Sequence, residues 1–183
     1  QGFGTRRVCA GLLEKGLVQV YVDENTTEND KNMAVAGVFT ASKATECIAE
    51  GLRFKVQGED WEYHEHAYVL FNKPTGSECS QKPSMHPSIY TFLPSPLRLR
   101  PQKSAIQGIQ AVGRLDQDTT GMLLMSDDGQ FIHKMSSPKK HVPKVYVVNT
   151  NDLITHEQMA QLEAGVALHQ ETGLFAATNV QRL

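Results

Sequence analysis

The sequence has few cysteines, no long apolar run and no excess of basic residues, and each shortage bears on the class of protein. Its three cysteines, Cys9, Cys47 and Cys79, are odd in number and widely spaced, which argues against a disulfide framework. No Cys-x-x-Cys pair is present, so a zinc site built on thiolates is not expected. The pattern favours three reduced thiols in a cytoplasmic protein.

No apolar stretch approaches the roughly 20 residues that a membrane-spanning helix needs. The first residues also lack the charged-then-apolar layout of a secretory signal. The chain begins on Gln1 rather than methionine, and we expect the first residues of the natural protein to be absent. Its 183 residues suit one medium domain, or one domain with a small appendage. We expect the protein to be a monomer.

The net charge of −2 counts mildly against a nucleic-acid partner, because phosphate binding usually shows as a basic excess. The charges are nevertheless segregated. Acidic residues cluster over 24–30 and 59–65, and basic residues cluster over 98–103 and 134–144. A single run of this kind is commonly a solvated face, so the charge pattern leaves the nature of the partner open.

The first third of the chain predicts a small α/β module. A helix is expected from Thr5 to Lys15, capped by Thr5 and ended by Gly16, before a strand over Leu17–Val22. We place a domain boundary after residue 58, so that residues 1–58 form the module and residues 59–183 the second domain. The other predicted elements here are a loop over 23–35, a weak helix near Lys43–Ala49, a strand near Arg53–Val56 and turns over Gly58–Glu65.

The rest of the chain predicts an α+β domain on a mixed, largely antiparallel sheet, because strands outnumber helices and the connections are irregular. Residues 75–110 are rich in proline and serine and mostly loop, with a short apolar patch at Ile89–Leu93. The predicted strands are Ala67–Phe71, Met122–Met125, Lys144–Val148 and Leu174–Val180. The predicted helices are Gly129–Ser136, capped by Asp128 and burying Phe131, Ile132 and Met135, and one from a Thr155–Gln158 capping box to Gly165.

The segment from Ala111 to Gly129 is the richest in potential chemistry. Gly113, Arg114 and Asp116 lie in a loop just ahead of a buried strand, where rigid scaffolds place reactive groups. A nearby arginine would keep Asp116 ionised and hence nucleophilic. From the residues alone, a polar turn with a surface ion pair is the commoner interpretation.

This segment resembles the signature of the bacterial RNA pseudouridine synthases, which runs Gly-Arg-Leu-Asp, Thr-x-Gly, an apolar strand and Asp-Gly. The agreement extends over the seventeen residues from Gly113 to Gly129, which makes it specific. It implies that Asp116 is the nucleophile, and that Arg114 pairs with its loop or occupies the space that the base vacates. The matching residues are Gly113, Arg114, Leu115, Asp116, Thr119, Gly121, Leu123, Leu124, Asp128 and Gly129.

Two further segments resemble motifs of the same family, in the same order. Asn72-Lys73-Pro74-x-Gly76 resembles the first motif, and Lys73 is expected to steer phosphate or to support the catalytic loop. Residues 137–148 resemble the motif that follows, in which a tyrosine packs against the target base, and this implies that role for Tyr146. Without the motif, Tyr146 would be a core strand tyrosine. Phosphate contacts are expected from Lys139, Lys140 and Lys144.

The N-terminal stretch resembles the second half of an S4-type RNA-binding module, on Gly4-Thr5-Arg6-Arg7, a helix and Gly16-x-Val18-x-Val20. The position of Arg6 and Arg7 at a helix start suits phosphate contact. One subfamily carries such a module and acts on ribosomal RNA. His86-Pro87 and the sequence Asp-x-Asp-Thr-Thr-Gly that begins at Asp116 are most similar to the 16S rRNA enzymes of this subfamily. A 23S rRNA enzyme remains an alternative.

The resemblance implies an isomerase that converts one uridine of ribosomal RNA, free or in an assembly particle, to pseudouridine. The reaction oxidises nothing and imports no group, so no cofactor and no metal are expected. Asp116 would act as a nucleophile or as a carbanion-forming base, and the sequence leaves both open.

Two other classes stay open. A non-catalytic RNA-binding protein of this fold would use the S4-like module alone. A metal-dependent hydrolase would use His64 and His66, which share one face if they lie on a strand, with Glu62 as a third ligand. Exposed strand residues are the commoner interpretation, and no Gly-x-Ser-x-Gly elbow or glycine-rich phosphate loop is present.

The family's last motif, a His-Gln pair followed by a basic run, has no clear counterpart. The pair His169-Gln170 follows a predicted helix end and is not followed by basic residues. We therefore expect the 183 residues to be incomplete, with the catalytic pocket open on one side. Asp116 would then lack a neighbouring positive charge, and the isolated chain would be inactive and poorly stable.

Overall fold

The computed structural model describes residues 2–20, the backbone of 37–38, and residues 50–101, 107–169 and 172–183. The chain divides into two compact units, Gln1–Val142 and Pro143–Leu183. The helices of the described residues are α1 (Arg6–Glu14), α2 (Ser95–Arg98), α3 (Gly129–Ser136) and α4 (His156–Ala164). Their strands are β1 (Val18–Val20), β2 (Gly37–Val38), β3 (Arg53–Val56), β4 (Glu59–Glu62), β5 (Tyr68–Lys73), β6 (Gln110–Ala111), β7 (Gly121–Ser126), β8 (Val166–Ala167) and β9 (Leu174–Phe175).

The first sheet contains four antiparallel strands in the order β2-β1-β3-β4. Helix α1 precedes it and is capped as predicted, because the Thr5 hydroxyl accepts the Val8 N–H at 3.4 Å. The ring of Phe3 packs edge-on against Phe54 and Trp61, with centroids 5.8 and 5.2 Å apart. The predicted strand near Arg53–Val56 is confirmed, and that over Leu17–Val22 is confirmed for Val18–Val20.

The prediction of turns throughout Gly58–Glu65 is wrong for Glu59–Glu62, which form β4. Gln57 and Gly58 have φ values of 51° and 92°, the backbone of a tight hairpin turn that joins β4 to β3. The strand was missed because it is largely exposed and acidic, so it lacks an alternating apolar pattern. The pairing of β3 with β4 crosses residue 58, and the domain boundary there stays a prediction.

The second sheet has the order β5-β7-β6 and is also antiparallel. The apolar strands predicted on either side of the proline-rich stretch are confirmed as β5 and β7. Their register runs from Tyr68 opposite Ser126 to Lys73 opposite Gly121. The end of β5 therefore lies beside the start of β7. The core beneath the sheet consists of Ala67, Ile89, Leu93, Ile109, Leu123 and Met125.

Helix α3 follows β7 and begins and ends where the sequence predicts. The Asp128 carboxylate accepts the N–H groups of Gln130 and Phe131 at 2.9 and 3.1 Å, and also the Tyr68 hydroxyl at 2.7 Å. The Tyr68 bond is the main cause that lowers the pKa of Asp128, and it raises the pKa of Tyr68. The expected burial of Phe131, Ile132 and Met135 is wrong in degree. These side chains are half-buried, since α3 contacts the sheet on one side only.

A buried ion pair joins Arg100, which follows α2, to Asp127 at the end of β7. The Arg100 Nε donates to Asp127 Oδ2 at 2.6 Å, and both side chains are about 94% buried, with 6% exposure each. The Arg100 Nη2 donates to the carbonyls of His64 and Glu65, each at 2.9 Å. Asp127 Oδ1 accepts the Ala67 N–H at 2.7 Å. One guanidinium and one carboxylate thus fix the path of residues 64–67.

The second unit contains α4 and the short β8–β9 hairpin. Thr155 and Gln158 form the predicted capping box, and α4 is capped by Gly165 as expected. The strand predicted over Leu174–Val180 is limited to Leu174–Phe175, because its partner β8 is only two residues long.

The strand predicted over Lys144–Val148 is not formed. A strand needs a hydrogen-bonded neighbour, and no strand of the described residues pairs with this segment. Its side chains are exposed, Val145 by 95% and Tyr146 by 59%. The β-branched side chains of residues 144–148 favour an extended backbone, but they cannot provide the neighbouring strand that a sheet requires.

Several predictions concern residues outside the described ranges. These are the last two residues of the strand Leu17–Val22, the loop over 23–35 and the helix near Lys43–Ala49. Within the described residues, no helix has the length and apolar character needed to cross a membrane.

Candidate active site

The antiparallel register of β5 and β7 brings together the two segments that carry the main motifs. The loop after β5 contains Pro74–Ser77, and the loop before β7 contains the signature residues 113–120. The Gly76 N–H donates to the Gln117 carbonyl at 2.8 Å, and the Thr75 hydroxyl donates to the Asp118 carbonyl at 3.4 Å. Two motifs that are about forty residues apart in sequence therefore form one folded surface.

Lys73 holds these loops together from the interior. Its side chain is fully buried, and its Nζ donates to the carbonyls of Thr119, Gln117 and Pro74 at 2.8, 3.2 and 3.2 Å. An ammonium group has three N–H donors, so three carbonyl acceptors match its capacity. Of the two roles expected for Lys73, the geometry favours support of the loop, since phosphate steering requires an exposed ammonium group.

Asp116 lies at an exposed turn of the signature loop. The Thr119 N–H donates to the Asp116 main-chain carbonyl at 3.1 Å, which closes the turn. The preceding Leu115 packs against the core and anchors the loop from below. Gly113 has a φ of 84°, a conformation that favours glycine and lets the chain turn away from the sheet. The carboxylate of Asp116 is therefore presented to solvent on a loop anchored at several points.

Arg114 is also exposed, but among the described ion pairs none joins it to Asp116. The expectation that a paired arginine keeps Asp116 ionised therefore finds no contact in this structure.

The other side chains expected to contact RNA lie on the surface. Arg6 and Arg7 are exposed in the first turn of α1, and Lys139 and Lys140 are exposed in the 3-10 turn Pro138–Lys140 that follows α3. Tyr146 and Lys144 belong to the second unit and are exposed there. All six are accessible to a macromolecular ligand.

The two histidines considered as metal ligands have different partners. His64 Nδ1 lies 2.8 Å from Glu50 and its Nε2 lies 3.1 Å from Glu62, whereas His66 lies 3.5 Å from Asp127. They follow β4 rather than lying on a strand, so the prediction of a shared strand face is wrong. No group of three potential ligands able to hold a metal ion occurs in the described part of the chain. The metal-dependent hydrolase therefore gains no support.

Glu78 organises part of the predicted loop region 75–110, a role that the sequence did not reveal. Its carboxylate accepts the main-chain N–H groups of Met85, Ser84 and His86 at 3.0, 2.9 and 2.9 Å. The N–H donors of Met85, Ser84 and His86, in that order, lower the pKa of Glu78 to about 2, so the carboxylate is ionised at neutral pH. Sequence offered no signal for this contact, because the donors are main-chain groups six to eight residues away.

Comparison with known proteins decides the family. The model of the family described as RNA pseudouridylate synthase matches residues 67–181, which include both loops of the candidate site. The chain belongs to this family. This RNA pseudouridylate synthase chain is 39% identical over 111 residues to the ribosomal small subunit pseudouridine synthase A of Salmonella typhimurium. That match covers 61% of the chain and 45% of the relative.

Two further relatives have a similar identity to the chain and match a similar share of it. The ribosomal small subunit pseudouridine synthase A of Escherichia coli K12 is 38% identical over 111 residues, covering 61% of the chain and 45% of that protein. The uncharacterized RNA pseudouridine synthase YtzG of Bacillus subtilis is 39% identical over 112 residues, covering 61% and 44%. The matches thus span less than half the length of these curated relatives.

A solved structure also resembles this RNA pseudouridylate synthase chain. A crystal structure of a pseudouridylate synthase superimposes with a TM-score of 0.53 at 26% identity. The match covers 94% of the chain and 64% of the solved one. The mixed α+β architecture with antiparallel sheets accords with this likeness.

Replacing Lys73 with methionine tests how the site is held. Methionine keeps much of the apolar stem but leaves the carbonyls of Pro74, Gln117 and Thr119 without their donor. We expect turnover of RNA to fall by roughly a hundredfold, because a reacting group displaced by about 1 Å can lose that much. Kinetics with Lys134→Met, at an exposed position of α3, provide the control. Equal turnover in the two variants would contradict the role of Lys73.

Proposed function

We propose that the protein isomerises one uridine of ribosomal RNA, in 16S rRNA, to pseudouridine, with Asp116 as the carboxylate that acts on the target. The observation that carries this proposal is the signature loop itself. It presents Asp116 to solvent while Lys73, Gly76 and Leu115 fix the loop from beneath. The names of the relatives from Salmonella typhimurium and Escherichia coli support the small subunit as the source of the substrate.

The chemistry is an isomerisation that balances without a cofactor. The bond between ribose C1′ and uracil N1 breaks, the uracil turns, and a bond forms between C1′ and C5. The proton on C5 is released and N1 gains one, so nothing is oxidised or reduced. Asp116 acts either by attack on C1′ or by abstracting a proton to form a carbanion, and an ionised carboxylate serves both roles.

The target must leave the RNA stack before the carboxylate can reach it. Unstacking a base costs a few kcal/mol. In our proposal, Tyr146 stacks on the flipped uracil and Arg114 occupies the space that the base vacates, and both side chains are exposed as these roles require. Aromatic stacking contributes about 1–3 kcal/mol per base, which together with basic contacts to phosphate offsets the cost of flipping.

The remaining exposed basic residues would bind the RNA backbone. Lys139 and Lys140 lie in the 3-10 turn that follows α3, and Lys144 belongs to the second unit. Residues 1–58 would act as an S4-like RNA-binding module, with Arg6 and Arg7 toward phosphate. Residues 59–183 would hold the catalytic domain, and Lys73 would serve it by supporting the loop.

Release of tritium from RNA labelled at uridine C5 tests the proposal. The protein, at its natural length, is incubated with 16S rRNA, with 23S rRNA and with small-subunit assembly particles. Release from 16S rRNA or its particle supports the proposed substrate. Release from 23S rRNA alone would mean that the substrate is the RNA of the large ribosomal subunit. RNA binding without release from any substrate would favour the non-catalytic RNA-binding alternative.

The N-terminal module can be tested separately. Replacing both Arg6 and Arg7 with alanine is expected to weaken RNA binding and to lower the slope of log affinity against log salt by roughly one or two units, since each phosphate contact releases counterions. Binding titrations across a series of salt concentrations measure this slope. Lys15→Ala, at the opposite end of α1, is the matched control. An unchanged slope in the double variant would remove Arg6 and Arg7 from the RNA interface.

A further inference from the structure

Residues 78–88 form a closed loop whose two ends are hydrogen-bonded to each other and continue into the buried residue Ile89. The Glu78 N–H donates to the Pro87 carbonyl, and the Ile89 N–H donates to the Glu78 carbonyl, both at 3.0 Å. The Ser88 hydroxyl donates to the Ser80 carbonyl, and Ile89 is fully buried in the core. The two ends of the loop are therefore anchored together on a rigid part of the molecule.

The Glu78 carboxylate fixes the opposite side of this loop. It accepts three successive main-chain N–H groups, those of Ser84, Met85 and His86, and also the Ser84 hydroxyl at 3.2 Å. Successive N–H groups that converge on one point form a binding site for an anion. Here a carboxylate from the same chain fills that site, so the tip of the loop is held by its own base.

The loop lies next to the candidate active site. Gly76 donates its N–H to the Gln117 carbonyl in the signature loop at 2.8 Å. Glu78 follows two residues later, so its Cα lies within about 7 Å of the Gly76 Cα. Ser77, between them, is fully buried and donates its hydroxyl to the Pro74 carbonyl at 2.8 Å. The base of loop 78–88 therefore adjoins the same backbone that positions Asp116.

The tip of the loop presents two side chains to solvent without covering any core. The Met85 side chain is 87% exposed. Lys82 is exposed three residues earlier. An exposed apolar side chain and a positive charge on the same loop suit an unstacked base and a neighbouring phosphate, and an apolar side chain can insert between bases.

We propose that loop 78–88 contacts the RNA strand flanking the target uridine through Met85 and Lys82, and that Glu78 is the positioning residue that holds the loop in the contacting shape. This inference rests on the proposed function. It adds an RNA contact through Met85 and Lys82, two residues to which the sequence motifs assign no role. The hydrogen-bond donors described for the Glu78 carboxylate all belong to residues 84–86 of its own loop, so its effect on RNA is exerted through the loop.

Three variants of the protein at its natural length test the proposal. Glu78→Gln replaces one carboxylate oxygen by an amide donor and should release the amides of residues 84–86. Met85→Ser and Lys82→Gln remove the contacting groups and leave the carboxylate contacts in place. Glu59→Gln, on the exposed strand β4, is the matched carboxylate control. The measurements are the KM and kcat for tritium release, the RNA dissociation constant, and hydrogen exchange at residues 84–86.

We expect Met85→Ser and Glu78→Gln to raise KM and the dissociation constant about tenfold, in line with the loss of one buried apolar contact. Because the reacting groups are untouched, kcat should change much less. Amide exchange should accelerate in Glu78→Gln and stay as in the wild type in the Met85 and Lys82 variants. Where Glu78→Gln fails to fold, the two tip variants carry the test alone.

Two results would overturn the inference. The first is wild-type affinity in both tip variants, whatever Glu78→Gln does, because the loop then does not touch RNA. The second is a fall in kcat with unchanged KM, which would place the loop in the chemical step. Failure of the proposed function is a separate result, because the wild type would then release no tritium. The RNA dissociation constants of the tip variants would still show whether the loop contacts RNA.

Discussion

Replacing Asp116 with asparagine is expected to reduce tritium release from RNA by roughly 10⁴-fold or more, as loss of a nucleophile does in other enzymes that form covalent intermediates. Asparagine has the same shape but carries no negative charge, so it can neither attack C1′ nor accept a proton. The fold should be unaffected. The turn depends on the main-chain carbonyl of Asp116, and the side chain is exposed. RNA binding should therefore be retained while turnover is lost.

Asp118→Asn is the matched control for this substitution. Asp118 is exposed in the same loop and accepts the Thr75 hydroxyl through its main-chain carbonyl, which the substitution leaves intact. Single-turnover kinetics and RNA binding should be measured on both variants. Substantial turnover by Asp116→Asn, or an equal loss in the two variants, would remove Asp116 from the chemistry.

Replacing Arg100 with methionine is expected to lower the free energy of unfolding by about 3–5 kcal/mol, the usual cost of removing one partner of a buried ion pair. The substitution leaves the Asp127 carboxylate buried without its guanidinium. It also leaves the carbonyls of His64 and Glu65 without their donor. Urea unfolding measures the change, and Arg98→Met, at an exposed position two residues earlier, is the control.

A second substitution separates the ion pair from simple packing. Asp127→Asn removes the buried charge but keeps an oxygen that can accept the Ala67 N–H. In the Arg100→Met background it should restore part of the lost stability, because the uncompensated carboxylate is gone. Equal unfolding free energies for Arg100→Met and Arg98→Met would contradict this account of the buried pair.

Features governed by local side-chain-to-backbone bonds could be predicted from the sequence. Three helix N-caps were predictable because the donor and the acceptor of each capping bond lie within three residues of each other. The capping residues are Thr5, Asp128 and the pair Thr155–Gln158. The two apolar strands of the second sheet were equally clear, since both read as compact apolar runs. The family could be predicted from the segment Gly113–Gly129, because the residues that match its signature lie within one short stretch of sequence.

Features that depend on contacts between distant residues could not be predicted. Arg100 meets Asp127 across 27 positions, and neither residue stands in a pattern that names the other. Exposed strand β4 lacks apolar residues on most of its positions, so its hairpin with β3 is invisible to periodicity. Residues 144–148 show the opposite error, because their strand-forming side chains predict a strand for which the described part of the chain contains no pairing partner.

In the candidate site too, the sequence identifies residues, whereas their roles depend on contacts between distant segments. The sequence identified Asp116 and Lys73 as residues of interest, but it left the role of Lys73 open between phosphate and loop. The register of β5 with β7 is what favours the loop, by placing Lys73 opposite Gly121 at the end of the ladder. Glu78 was not singled out at all, since its acceptor role depends on how a loop closes in space.

The three acceptors of the Lys73 ammonium are all main-chain carbonyls, and this determines which sequence changes the site can absorb. A carbonyl is present whatever side chain a residue carries, so Gln117 can be exchanged for other residues without loss of its bond to Lys73. A one-residue insertion between Asp116 and Gly121 is different, because it shifts the following carbonyls along the chain by about 3.8 Å. Variation among functional homologues should therefore appear at position 117 as substitutions, while the length of this loop stays constant.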